Sequence, residues 1–179
     1  MLYLFFIVSL AQAAKVGFGT DISPWMMNGY SVFAMVESQN TDWRFGVEVF
    51  GLEMPDQMIN LVKDNRDEGW NRTIDAGGIV YGSYHFPLKP EFHVGGGVNL
   101  MSSTITRENF DEQSHLLTFE LMIRSGYRWF PFQSDFFYID PWVGIGPLFP
   151  LIHPEKIGSE LFIEAPFQVL STIHIGWRL

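Results

Sequence analysis

Five histidines, two serines near them and a scatter of carboxylates and arginines are the side chains of this 179-residue chain that could do chemistry. His85 and His93 flank a turn at residues 87–90 and would approach one another across a hairpin. Paired imidazoles are good metal ligands, but no carboxylate stands beside them at ligand spacing, so two turn-adjacent, partly solvated histidines are expected. Ser171 and His174 come nearest to a nucleophile and its base. Three residues apart on a strand, they point to opposite faces, which removes them as a catalytic pair. His153, Glu155, Ser159 and Glu160 share one segment without any spacing that implies a reaction. With zero cysteines there is no thiolate zinc site, no cysteine nucleophile and no disulfide framework. Gly95-Gly96-Gly97 falls inside a strand, not between a strand and a helix, so it is no phosphate-binding loop. No catalytic residue, metal site or cofactor is therefore expected.

The remaining charged residues are more informative, because they alternate with apolar neighbours. From position 167 the odd residues read Phe167, Val169, Ser171, Ile173, Ile175, Trp177 and Leu179, against Gln168, Leu170, Thr172, His174, Gly176 and Arg178. Over 115–130, Leu117, Phe119, Leu121, Ile123, Tyr127 and Trp129 oppose Thr118, Glu120, Met122, Arg124, Gly126 and Arg128. Over 43–51, Trp43, Phe45, Val47 and Val49 oppose Arg44, Gly46, Glu48 and Phe50. Period two is the signature of strands with one apolar and one polar face. It gathers Arg44, Glu48, Glu120, Arg124, Arg128, His174 and Arg178 on one surface, joined by Asp75, His85, His93 and Asp140. Glu48 and Glu120 are expected to accept hydrogen bonds from Arg44, Arg124 or Arg128, since buried charges must be paired or hydrated.

Weaker alternation adds strands at 14–22, 29–38, 70–86, 91–107 and 136–151, for eight in all. Short turns at 39–42, 87–90 and 133–135 alternate with longer connections at 23–28, 53–69, 108–114 and 152–164. An up-and-down meander with short turns at one end and long loops at the other is the pattern of an eight-stranded antiparallel transmembrane β-barrel over residues 14–179. Several segments of about 15 residues exceed the usual length of a soluble strand. Aromatic residues collect near the short turns (Trp43, Phe86, Phe92, Trp129, Phe132, Phe136, Trp177) and near the long loops (Trp25, Phe50, Trp70, Phe149, Phe167), as at two lipid-water interfaces. Within 54–63, Pro55 and the spacing of Met54, Met58, Leu61 and Val62 predict a short helix that caps the barrel mouth. An eight-stranded barrel is narrow enough for side chains to fill, so the charged set reads as an internal network more than an open pore.

Composition agrees with this architecture. Charged residues make up only 17% against roughly 25% in soluble domains, and hydrophobic residues 47%, which excludes disorder. A net charge of −9 with no polybasic stripe excludes a nucleic-acid partner. Residues 1–13 read as a signal peptide, with the apolar run MLYLFFIV followed by a small-x-small site at Ala11-Gln12-Ala13. No stretch reaches the 18 or so consecutive apolar residues of a membrane helix.

Together the signal-like start, the eight-strand meander and the alternating strand at 167–179 resemble the small outer-membrane barrels of Gram-negative bacteria, the OmpA, OmpX and OmpW architectural class. That resemblance implies a monomer in outer-membrane lipid, delivered by the barrel-assembly machinery through its carboxyl-terminal strand. In the class that strand ends in Phe or Trp, where this chain has Leu179. The expected role is non-enzymatic, structural or interactive through the loops. The alternatives are a narrow channel or carrier for small or apolar solutes, an outer-membrane lipid-modifying enzyme, and a soluble lipocalin-like barrel with its faces inverted.

Overall fold

Eight antiparallel strands carry the alternation in the computed structural model, which describes residues 14–38, 41–132 and 136–179. The signal-like segment 1–13, residues 39–40 of the first short turn and the turn at 133–135 lie outside the described residues. The strands are β1 (Ala14–Asp21), β2 (Tyr30–Ser38), β3 (Trp43–Glu53), β4 (Trp70–Phe86), β5 (Lys89–Arg107), β6 (Gln113–Tyr127), β7 (Phe137–Ile152) and β8 (Phe167–Arg178). Each pairs with the next, and β8 returns to β1 through Phe18 opposite Trp177 and Asp21 opposite His174. Closure removes the free edges over the paired length of β1 and β8, residues 17–21 and 174–178.

The two faces separate cleanly. Val47, Val49, Val80, Val98, Leu121, Ile123, Val143, Ile145 and Val169 stand exposed on the outer wall, with Ile123 at 71% of its free surface. Their chain neighbours point inward and are buried or half-buried. Trp43, Phe86, Phe92, Trp129, Phe132 and Phe136 ring the outside at the short-turn end, while Trp25, Phe149 and Phe167 lie outside toward the loops. Trp70 and Phe50 do not join that second ring: Trp70 is buried inside, and Phe50 packs against the interior cluster of Ile74, Met101 and Leu148.

One irregularity reverses the parity of β4. Its register against β5 slips between Ile74 and Ala76, so the extra residue, Asp75, turns outward and bonds Thr104 Oγ1 at 2.8 Å. Below the bulge Gly77, Ile79, Tyr81, Ser83 and His85 face in; above it Trp70, Arg72 and Ile74 do. A single inserted residue is enough, because the side-chain period is two. Asp75 is thus outside the interior where simple alternation would put it, and Arg72 is inside.

Large interior rings are seated on glycines of the facing strand. Gly46 pairs with Tyr81, Gly126 with His93, Gly176 with Tyr138 and Gly19 with Phe33. In each pair a side chain on the glycine would run into the ring. Room for an aromatic in so narrow a lumen comes from the missing side chain opposite. Gly46→Val is accordingly expected to destabilise by about 1–3 kcal/mol through overpacking against Tyr81. Gly78→Ala, on the outer face where an added Cβ meets only the Glu48 carbonyl at 4.0 Å, should be silent. Thermal unfolding of the two variants checks this; equal effects would mean that the glycines are not spacers.

The rim is uneven. β4 to β7 run to 15–19 residues, whereas β1 has 8 and β2 has 9. β1 stops at Asp21, whose carboxylate accepts from the Ser23 amide at 3.1 Å and caps a one-turn helix, α1 (Ile22–Met26). Above His174, β8 has no strand neighbour on that side. Helix α1 fills the notch, with Ser23 Oγ donating to Thr172 Oγ1 at 2.6 Å.

Across the mouth, the loop 54–69 and the loop 153–166 form a cap. The helix expected at 54–63 is only one turn, α2 (Asp56–Ile59), and its buried residue is Ile59, while Leu61 is exposed. Ile59 packs with Ile157 and Phe162 of the last loop onto Trp70, Ile105 and Leu116 of the barrel. Asn65 ties the loops together, donating to the Ile163 carbonyl at 2.7 Å and accepting from its amide at 2.9 Å. The short turns are not uniformly shorter: the connection 128–136 exceeds 108–112, because Trp129 continues as an isolated bridge to Ile139 after β6 ends.

Candidate functional site

The polar residues of the interior lie in layers along the barrel axis. Arg124 lies on β6 and Arg128 just past its end, four residues on, so the two stand on one face about two pleats apart. The layer nearest the short turns is an ion-pair knot. Arg128 reaches Glu37 at 2.5 Å and Asp140 at 2.8 Å, Arg44 reaches Glu37 at 2.6 Å, and Arg178 reaches the other oxygen of Glu37 at 2.9 Å. His93 Nε2 contacts the second oxygen of Asp140 at 2.8 Å. The guanidinium of Arg128 lies over Tyr138 at 3.9 Å and that of Arg178 over Phe130 at 4.7 Å. Three arginines thus surround two carboxylates with aromatic faces taking part of the positive charge.

His85 stands beside His93 across the hairpin with ring centroids 4.9 Å apart. Both are buried, not partly solvated. His85 Nδ1 is satisfied by the Pro90 carbonyl at 2.7 Å.

In the next layer Arg124 is held between Tyr81 at 4.5 Å and Trp142 at 4.1 Å. Among the described residues it meets no carboxylate, and its Nε and NH1 make no hydrogen bond. Glu120, wholly buried, takes one hydrogen bond at 3.1 Å from Asn99, its partner across β5. Glu120 and the arginines do not meet: Arg124 is two pleats along the same strand and is already sandwiched, while Arg44 and Arg128 are occupied at the turn end. Glu48 also lacks an arginine. It accepts from Ser31 Oγ at 2.6 Å and lies 3.3 Å from His174 Nε2, and Asp21 lies 3.7 Å from the same nitrogen. Toward the loops, Arg72 pairs with Glu164 at 2.8 Å and with Ser103, and Thr118 donates to the same Glu164 at 3.2 Å.

Between the Arg124 layer and the loop cap is a cavity of about 220 Å³. Asp21, Glu48 and Asn99 form its polar floor, and Phe50, Met54, Met58, Met101 and Leu170 its apolar walls. Ser171 borders this cavity but is exposed, whereas His174 is buried, and the two side chains alternate on β8.

Four participants escaped the sequence pattern. Glu37 and Asp21 lie on β2 and β1, where apolar Phe33 and Met35 share the inner face and alternation gives no contrast. Arg72 is brought inside by the bulge at Asp75, and Glu164 comes from a loop with no periodicity.

Neither a protein-family model nor a curated protein matches the sequence. Among solved structures, the N-terminal β-barrel domain of Pseudomonas aeruginosa OprF is similar over 93% of this chain and 97% of its own, with a TM-score of 0.47 and 10% identity. Neisserial surface protein A (NspA) is similar over 93% of both chains, with a TM-score of 0.41 and 11% identity.

Proposed function

We propose that the chain is a monomeric barrel of a bacterial outer membrane, non-catalytic, closed by its own side chains and acting through its long loops. The observation that supports this best is the polarity of the wall. Exposed Val, Ile, Leu and Phe cover the outside of a closed barrel and ionised groups fill the inside, which is the reverse of a soluble ligand-binding barrel. A belt of that extent in water would be an aggregation surface, whereas in lipid it is solvated. The outward aromatics near the short turns fit an interfacial girdle. Strand β8, with outward Trp177 near its end and Leu179 just beyond it, is the segment that the assembly machinery would read.

Membrane fractionation and heat-modifiable gel migration test the location; recovery of the folded chain as a detergent-free soluble monomer would overturn it. The closed lumen has its own test. The Glu37, Arg128 and Asp140 knot and the Tyr81, Arg124 and Trp142 stack occupy successive cross-sections of a narrow barrel. Reconstituted into a planar bilayer, the protein is expected to carry no steady current. A well-resolved conductance would replace the closed barrel by the channel alternative.

A further inference from the structure

The ion-pair knot satisfies its carboxylates with arginines, but the neighbouring pair, Asp21 and Glu48, has only an imidazole between them. We infer that Asp21, Glu48 and His174 form a binding site for a divalent first-row transition metal ion, reached from the cavity beneath the loop cap. The inference depends on the inner wall alone and is independent of the membrane reading.

Three strands converge on the site: β1 ends at Asp21, β3 contributes Glu48 and β8 contributes His174, which is Asp21's register partner. One donor atom from each residue lies within 4.8 Å of the others. His174 Nε2 is 3.3 Å from Glu48 Oε2 and 3.7 Å from Asp21 Oδ2. An ion bound at about 2.0–2.2 Å from each ligand would set neighbouring donors about 3–3.5 Å apart, so small movements would bring all three onto one ion.

The surroundings select these donor atoms. Ser31 Oγ holds the other oxygen of Glu48, Oε1, at 2.6 Å, and Thr172 Oγ1 holds the other oxygen of Asp21, Oδ1. Each carboxylate is thereby turned with its remaining oxygen toward the imidazole, as outer-sphere hydrogen bonds do at metal sites. The His174 ring is fixed by stacking on Phe33 at 4.5 Å and by the edge of Trp142 at 5.5 Å. Its Nε2 is buried and faces both acids without a well-aligned hydrogen bond to either. Two carboxylates and a neutral imidazole would cancel the charge of a dication. The cavity lies on the open side, with Asp21, Glu48 and Thr172 in its lining, and leaves room for a water or small ligand on the ion. Mixed nitrogen and oxygen donors favour zinc, iron or manganese over calcium or magnesium, which prefer oxygen alone.

Zinc is the probe. The folded, chelator-treated barrel in detergent micelles, titrated with zinc chloride in a calorimeter, is expected to take up one equivalent saturably and to melt at a higher temperature when loaded. Glu48→Gln and Asp21→Asn keep size and should weaken binding by at least roughly tenfold. Replacing the exposed His115 and His153 by Ala should leave it unchanged. Absence of a saturable equivalent in the wild-type barrel overturns the site, as does undiminished affinity in Glu48→Gln. If neither carboxamide variant folds, the wild-type titration together with the His115→Ala, His153→Ala control decides: loss of binding in that control overturns the site in favour of the surface histidines. A barrel that fractionates with membranes and ignores zinc would refute the metal and leave the proposed function standing.

Discussion

Asp140→Asn is expected to destabilise the barrel by about 3–5 kcal/mol, more than any single arginine replacement in the same layer. The reason is charge balance. Arg44, Arg128 and Arg178 share Glu37 and Asp140, so removing Asp140 leaves three buried or half-buried guanidiniums around one carboxylate. Arg128→Met leaves two arginines facing two acids and should cost less, even though Arg128 makes the shorter contacts. The double variant Asp140→Asn, Arg128→Met should cost less than the sum of the two, because the second change relieves repulsion created by the first. Urea unfolding followed by tryptophan fluorescence, with heat-modifiable migration as the folding control, gives all three values. Equal costs for Asp140→Asn and Arg128→Met would show that contacts, not layer charge, set the stability of the knot.

Val47→Arg on the outer wall is expected to cost about 2–4 kcal/mol in a bilayer if it lies near the midplane. Val47 sits mid-strand on β3, paired with Ala34 and Val80 and half exposed at 53%, so its outward neighbours are apolar too. Leu121→Arg on β6 should behave the same way. Asn71→Arg is also outward but stands beside the loops, where the penalty falls to about 0–1 kcal/mol. Unfolding from lipid vesicles would show the depth dependence, and a flat response along the outer wall would mean that the wall does not face hydrocarbon.

The number of strands, their order and their limits to within about three residues were legible in the sequence, since each depends on local alternation and on turn signals between runs. The grouping of residues into two faces on β3, β6 and β8 was legible for the same reason, since a charged set opposes an apolar one, but alternation is the same whichever face is the interior. Arg44, Glu48, Glu120, Arg124, Arg128, His174 and Arg178 follow directly from that contrast.

Partnership was not legible. Glu120 and Arg124 share a strand and a face, and sequence spacing suggests a pair, yet strand stagger around the barrel gives Glu120 to Asn99 and Arg124 to two aromatic rings. The single residue inserted at Asp75 exchanges the faces of upper β4, moving Arg72 in and Asp75 out, and such a slip leaves no mark on composition. Glu37, at the hub of the knot, lies on a strand whose two faces are both largely apolar. The sequence alone therefore determined eight alternating strands and which charged residues share a face, because those depend on neighbours along the chain. Only the tertiary structure decided which charges meet, because contact between strands depends on register around the barrel, and one bulge or one early strand end, as at Asp21, shifts it.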